Sequence, residues 1–203
     1  GVVGWIDLQG LDVEERLAHY AKYPKMKGFR HVLQAEPDTE YMLRPSFLRG
    51  ITKLKKHGFT YDILIFPKHL ATAQTFVAQF PDQPFVLDHI AKPYIKAGLI
   101  DEWERDIRNL SKFENLQCKV SGIITEADWK AWTYEQIKPY LDVVFDAFGT
   151  DRIMFGSDWP VCLVAGEYSQ VKGIIETYTK EFSASEKAKI FGENAVRFYG
   201  ISE

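Results

Sequence analysis

The chain has 203 residues, of which 46% are hydrophobic and 26% charged, and its formal net charge is -3. Those values fit one soluble globular domain with a sizeable core. They leave no basic surplus for nucleic acid and no apolar run near the ~20 residues of a membrane helix.

Short apolar runs alternate along the chain with longer amphipathic stretches. Strands are predicted at Val2–Leu8, Gly28–Leu33, Asp62–Phe66, Phe85–His89, Leu116–Ser121 and Ile153–Ser157. Helices are predicted between them at Val13–Tyr20, Pro45–His57, Leu70–Phe80, Ile95–Phe113 and Ile137–Phe148. Two more, at Tyr168–Phe182 and Ser183–Tyr199, follow the last strand, and Ser183 with Glu186 has the spacing of a capping box. No repeat, low-complexity tract or linker interrupts residues 1–203, so a single domain is expected. Cys118 and Cys162 are too few and too far apart for a disulfide framework. No signal peptide is evident at the start. Both points lead to reduced thiols and a cytoplasmic location as expectations.

Strand–helix alternation at this spacing implies parallel pairing. An open Rossmann sheet would need a Gly-rich phosphate loop after its first strand, but Asp7-Leu8-Gln9-Gly10-Leu11-Asp12 stands there. A (β/α)₈ TIM barrel instead places reactive groups at the C-terminal ends of its strands. Asp7, His31, Asp88, His89, Lys119, Ser121, Ser157 and Asp158 occupy such positions. Six strands are visible against eight, so the expectation is an incomplete barrel whose first two strands would lie before Gly1. Its two open strand edges would invite a homo-oligomer.

Asp158 closes the last strand, before a Trp159-Pro160 turn. A carboxylate there can take a proton from water; the structural alternative is a helix N-cap. Alternation in Phe85–His89 puts Asp88 and His89 on opposite faces. If His89 faces the axis, to polarise a carbonyl or bind a metal, Asp88 points outward. On Leu116–Ser121 the apolar face is Leu116, Cys118 and Val120, which sends Gln117, Lys119 and Ser121 inward. An inward Lys119 either holds substrate or forms a buried ion pair with an acid on another strand. Arg30 would suit a substrate carboxylate, though periodicity does not decide whether Arg30 or His31 faces in. His69 stands at the mouth of its strand, and His19 and His57 read as solvated helix residues.

The runs GWIDL, GFRHVLQ, DHIAKP, KVSG, FGSDWP and FGENAVRFY, in that order over essentially the whole chain, closely resemble the amidohydrolase-related family of sugar-lactone hydrolases. That family includes L-fuconolactonase and L-rhamnonolactonase types, with pyrone-dicarboxylate lactonase a relative. FGSDWP and DHIAKP together are specific; KVSG alone is weak. The resemblance implies a barrel with its site at the C-terminal strand ends. It matches Asp158 to the aspartate that activates water, His89 to the sixth-strand histidine and Lys92 to the lysine of the same motif. The implied chemistry is hydrolysis of a small-molecule lactone. Arg30, His31, His69, Lys92, Lys119 and Trp159 are the candidate substrate contacts. A metal-dependent decarboxylase of the same superfamily and a catalytically incomplete barrel are the alternatives. The family's opening His-x-His pair does not occur here. Zinc needs three protein ligands beside an open position; this chain offers His89 and Asp158, with His31 or His69 as further candidates.

Overall fold

The computed structural model describes residues 1–201. Its six strands are β1 (Val2–Gly4), β2 (Met26–His31), β3 (Thr60–Ile63), β4 (Phe85–Leu87), β5 (Leu116–Val120) and β6 (Ile153–Phe155). They form one sheet in chain order, and every neighbouring pair is parallel. Helices α1 (Val13–Tyr20), α2 (Pro45–Leu54), α3 (Leu70–Ala78), α4 (Asp101–Leu110) and α5 (Tyr134–Phe148) connect successive strands, and α6 (Tyr168–Tyr178), α7 (Ala184–Ala188) and α8 (Asn194–Tyr199) follow β6. The result is an α/β half-barrel: six parallel strands curled inside a layer of helices. Among the described residues no helix is long and apolar enough to cross a membrane.

The strands are short because each turns into a mouth loop early. They are apolar because both faces are covered. Toward the helices point Phe29, Tyr61, Ile63, Phe85, Leu87, Leu116, Cys118, Val120 and Ile153, all buried in one cluster with Leu17, Phe47, Phe76, Trp103 and Val144. The opposite face follows from the register. Arg30 pairs with Asp62, Asp62 with Val86 and Val86 with Gln117, and directly paired residues of parallel strands share a face. This row lines the lumen.

The capping box at Ser183 is present: its Oγ accepts from Glu186 N at 3.2 Å and its N–H donates to Glu186 Oε2 at 2.8 Å. The single helix expected over Ser183–Tyr199 is not. A wider turn at Lys189–Glu193 separates α7 from α8, and this lets the last turn pass beneath the sheet. Asn194 is fully buried there, donating to the carbonyls of Thr150 and Ile153 at 2.7 Å each. Tyr199 donates to Asp62 in the lumen at 2.8 Å, and Lys27 at the foot of β2 donates to Gly200 O at 2.8 Å. The chain's end thus spans from β6 to β2 under the strands. Met154 on β6 is 2% exposed, whereas Trp5, just past β1, is 59% exposed.

Candidate active site

Strand β4 stops at Leu87, and residues His89 to Lys92 have left-handed backbone conformations, with φ between 47° and 57°. Four such residues in a row are costly, at roughly 1–2 kcal/mol each. The bend is held by the Trp103 indole, which donates to Ile90 O at 2.9 Å, and by full burial of Ile90 and Ala91. The expectation that an inward His89 would send Asp88 outward fails at His89. Alternation from Val86 keeps Asp88 in the lumen, and the left-handed turn that starts at His89 carries that side chain to the mouth beside it instead of to the helix face of Leu87.

Inside the lumen, Asp88 is fully buried between two cations. Arg30 donates to its Oδ2 at 2.8 Å, and Lys119 Nζ lies 2.8 Å from its Oδ1. Lys119 also donates to Asp62 Oδ2, and the same oxygen accepts from the Tyr199 hydroxyl. Burial alone would lower the Lys119 ammonium, but Asp88 and Asp62 together hold it above its ordinary value. Burial raises Asp62 to about 6, against the pull of Lys119. Asp88 has Arg30 as a second cation, and its carboxyl ends below the ordinary value despite its burial. Lys119 thus forms the buried ion pair with an acid on another strand that its inward position allows.

At the mouth, His89 Nδ1 lies 2.8 Å from Ser121 Oγ, and its Nε2 faces Asp158 Oδ1 at 3.6 Å. Burial pulls the imidazole toward its neutral form, opposed by Asp88 and Asp158. Asp158 also has a left-handed backbone, φ 55°, and its Oδ2 is buried without a hydrogen-bond partner. Two glycines make room. A Cβ on Gly122, whose φ is +61°, would sit 2.9 Å from His89 Nδ1 and 3.1 Å from Asp158 Oδ2; one on Gly156 would meet Ser121 Cβ at 3.0 Å.

The other candidates separate. The Arg30 side chain is 41% exposed although its guanidinium is held by Asp88. Lys92 pairs with Glu126 at 3.3 Å. Trp159 is 65% exposed on the loop after Asp158. His31 lies on the outer face, stacked on Tyr41 at a centroid distance of 4.9 Å, with Glu36 at 2.7 Å and Trp5 at 3.1 Å. His69 is buried with Nδ1 turned to the backbone of Phe66. His57 is not solvated as expected, since it pairs with Glu14 at 3.0 Å. Sequence reasoning passed over Gly122 and Glu126 and read Ser121 only as inward-facing. The inward phase of KVSG was the one signal for Ser121.

The amidohydrolase profile matches residues 1–201. The chain belongs to the amidohydrolase family. It is 38% identical to an L-fucono-1,5-lactonase of Burkholderia multivorans, over 100% of this chain and 72% of that protein. An L-fucono-1,5-lactonase of Burkholderia ambifaria is 33% identical over 98% of this chain and 70% of its own length. A crystal structure of a Burkholderia multivorans amidohydrolase with bound zinc superposes with a TM-score of 0.95 at 37% identity, covering 100% of this chain and 74% of that one. Family and architecture together make this chain a hydrolase on the barrel scaffold.

The zinc in that relative prompts a test of the donors present here. Zinc needs three protein ligands. His89 and Asp158 supply two, and among the described residues no group of three His, Cys, Asp or Glu side chains is placed to hold a metal ion. His31 is engaged by Glu36 and Trp5 on the outer face, and His69, though its Nε2 has no partner, is not grouped with His89 and Asp158. The described residues of this chain do not form a three-ligand zinc site.

Proposed function

We propose that this amidohydrolase opens a small sugar-acid lactone, with Asp158 as general base. One observation carries the reading: a buried, unpartnered Asp158 Oδ2 next to a His89 Nε2 that faces the same carboxylate. A carboxylate with a free acceptor at a barrel mouth can hold a water and take its proton. The two relatives named L-fucono-1,5-lactonase, matched over nearly all of this chain, support a neutral sugar lactone as substrate.

The step balances without another reagent. Water oxygen attacks the lactone carbonyl carbon as its proton passes to Asp158. With Ser121 donating to Nδ1 of His89, Nε2 carries the ring proton and stabilises the oxyanion. Collapse breaks the ring C–O bond, Asp158 returns the proton to the departing alkoxide, and a hydroxy acid leaves. In this reading Trp159, exposed beside Asp158, forms an apolar wall for the ring, and Arg30 meets its hydroxyls.

Acid release at constant pH from L-fucono-1,5-lactone and related aldonolactones tests the reading. Asp158→Asn should keep the fold and lose about 10²–10⁴ of the rate. Near-normal turnover in that variant removes Asp158 as base. Carbon dioxide release from an aromatic acid, with no lactone opened, would favour the decarboxylase alternative. Two neighbours whose names call them decarboxylases are 15% and 14% identical and share the fold alone.

A further inference from the structure

Three cations stand around the mouth and lumen, and each already has a carboxylate. Arg30 is held by Asp88 and Lys119 by Asp62 and Asp88. Lys92 is held by Glu126 at 3.3 Å, with side chains 13% and 17% exposed. Asp158 is a fourth carboxylate with no cation of its own among these. Three positive charges thus face four negative ones, and burial keeps His89 toward neutrality.

Lys92 is the cation outside the lumen network. It follows His89 on the same left-handed turn and lies 5.7 Å from the Phe66 ring centroid. A substrate carboxylate entering the mouth would need such an ammonium. Glu126 takes it first. Glu126 sits on the loop after β5, within reach of the Asp158 charge, and lines a cleft with Thr125, Lys96 and the exposed Trp129.

We propose that Glu126 is a specificity-determining residue: by occupying Lys92 it keeps carboxylate-bearing molecules out of the mouth. The inference rests on the lactone reading and deepens it. A neutral lactone enters without a charge penalty. Hydrolysis converts it into a hydroxycarboxylate and a proton, and the new anion then meets a net-negative mouth with no free ammonium. Discrimination and product release come from one ion pair. Like-charge juxtaposition is a recognised way of rejecting the wrong ligand.

Equilibrium binding separates the possibilities, because it needs no turnover. The probes are L-fuconate and the matching neutral 1,5-lactam, titrated calorimetrically into wild type, Glu126→Gln and Glu126→Asp, with thermal melts to verify folding. Wild type should bind the lactam about tenfold or more tightly than the acid, a difference of roughly 1.4 kcal/mol. Glu126→Gln should close that gap by gaining affinity for the acid, while Glu126→Asp keeps it. Should Glu126→Gln not fold, the salt dependence of wild-type binding serves: acid affinity should rise as salt screens the net-negative mouth, whereas direct capture of the acid by Lys92 would weaken with salt. Acid bound as tightly as lactam by wild type, an unchanged ratio in Glu126→Gln, or a fall in acid affinity as salt is raised each overturns the role of Glu126. Lactam binding with any of those results leaves the lactone reading standing. No lactam binding at all by wild type overturns both.

Discussion

Ser121 Oγ lies 2.8 Å from Nδ1 of His89, across 32 residues of sequence and two neighbouring strands. This contact fixes which imidazole nitrogen faces Asp158. A ring held at Nδ1 presents Nε2 to the mouth and cannot flip without losing the bond. Ser121→Ala should therefore slow lactone opening by about fivefold, the worth of one neutral hydrogen bond near 1 kcal/mol. Ser121→Thr, which keeps the hydroxyl, should restore most of the rate. Initial rates for the three proteins decide it, and full activity in the alanine variant would show that packing alone orients His89.

Gly122 is the second prediction. Its φ of +61° and the 2.9 Å approach of a Cβ to His89 Nδ1 make alanine doubly unfavourable. The left-handed backbone costs about 1–2 kcal/mol. The methyl group also displaces His89, and a misplacement near 1 Å can cost about a hundredfold in rate. Gly122→Ala should melt only modestly lower yet lose most activity. A variant that melts lower but turns over normally would confine Gly122 to a backbone role.

Asp62 gives the pH dependence a sign. Burial lifts its carboxyl from 3.8 to about 6 in the folded protein, with Lys119 opposing. A group bound to its proton more tightly when folded adds stability below its unfolded value and loses that contribution as pH rises through its folded value. The window is therefore about pH 4 to 6. Melting temperatures of wild type and Asp62→Asn, compared across it, should diverge, with wild type losing ground relative to the variant as pH rises. A constant difference across the window would contradict the assignment.

The sheet predicts association. Strands β1 and β6 each have one paired neighbour, and the residues at the β1 edge include Val2, 49% exposed, and Trp5, 59% exposed. Unpaired edges recruit other strands. Light scattering during size exclusion should give a mass above 23.4 kDa that falls toward it on dilution, and Val2→Lys should shift the balance to monomer. A monodisperse 23.4 kDa species at every concentration would show that the edges are blocked.

Periodicity alone determined much of this protein. The strand–helix alternation was legible because each strand is an apolar run and each helix a stripe, and both patterns are local. The inward Lys119 and outward Cys118 were legible for the same reason: β5 keeps strict pleat alternation from Leu116 to Val120. Asp158 and His89 stood out as polar groups where apolar strands end. The resemblance carried by DHIAKP and FGSDWP then gave the family.

Tertiary structure decided the rest, wherever the backbone leaves a repeating conformation or a partner comes from far along the chain. His89 joins Asp88 at the mouth because four left-handed residues, His89 to Lys92, follow Asp88, and an alternation rule cannot anticipate a conformation that buried neighbours impose. Asn194 finds the carbonyls of Thr150 and Ile153, 41 to 44 residues away, and so ties α8 to β6. Glu126 claims Lys92, and Asp62 claims Lys119, across loops and strands that no spacing links. Charge pairing depends on distance in space, and sequence records only distance along the chain.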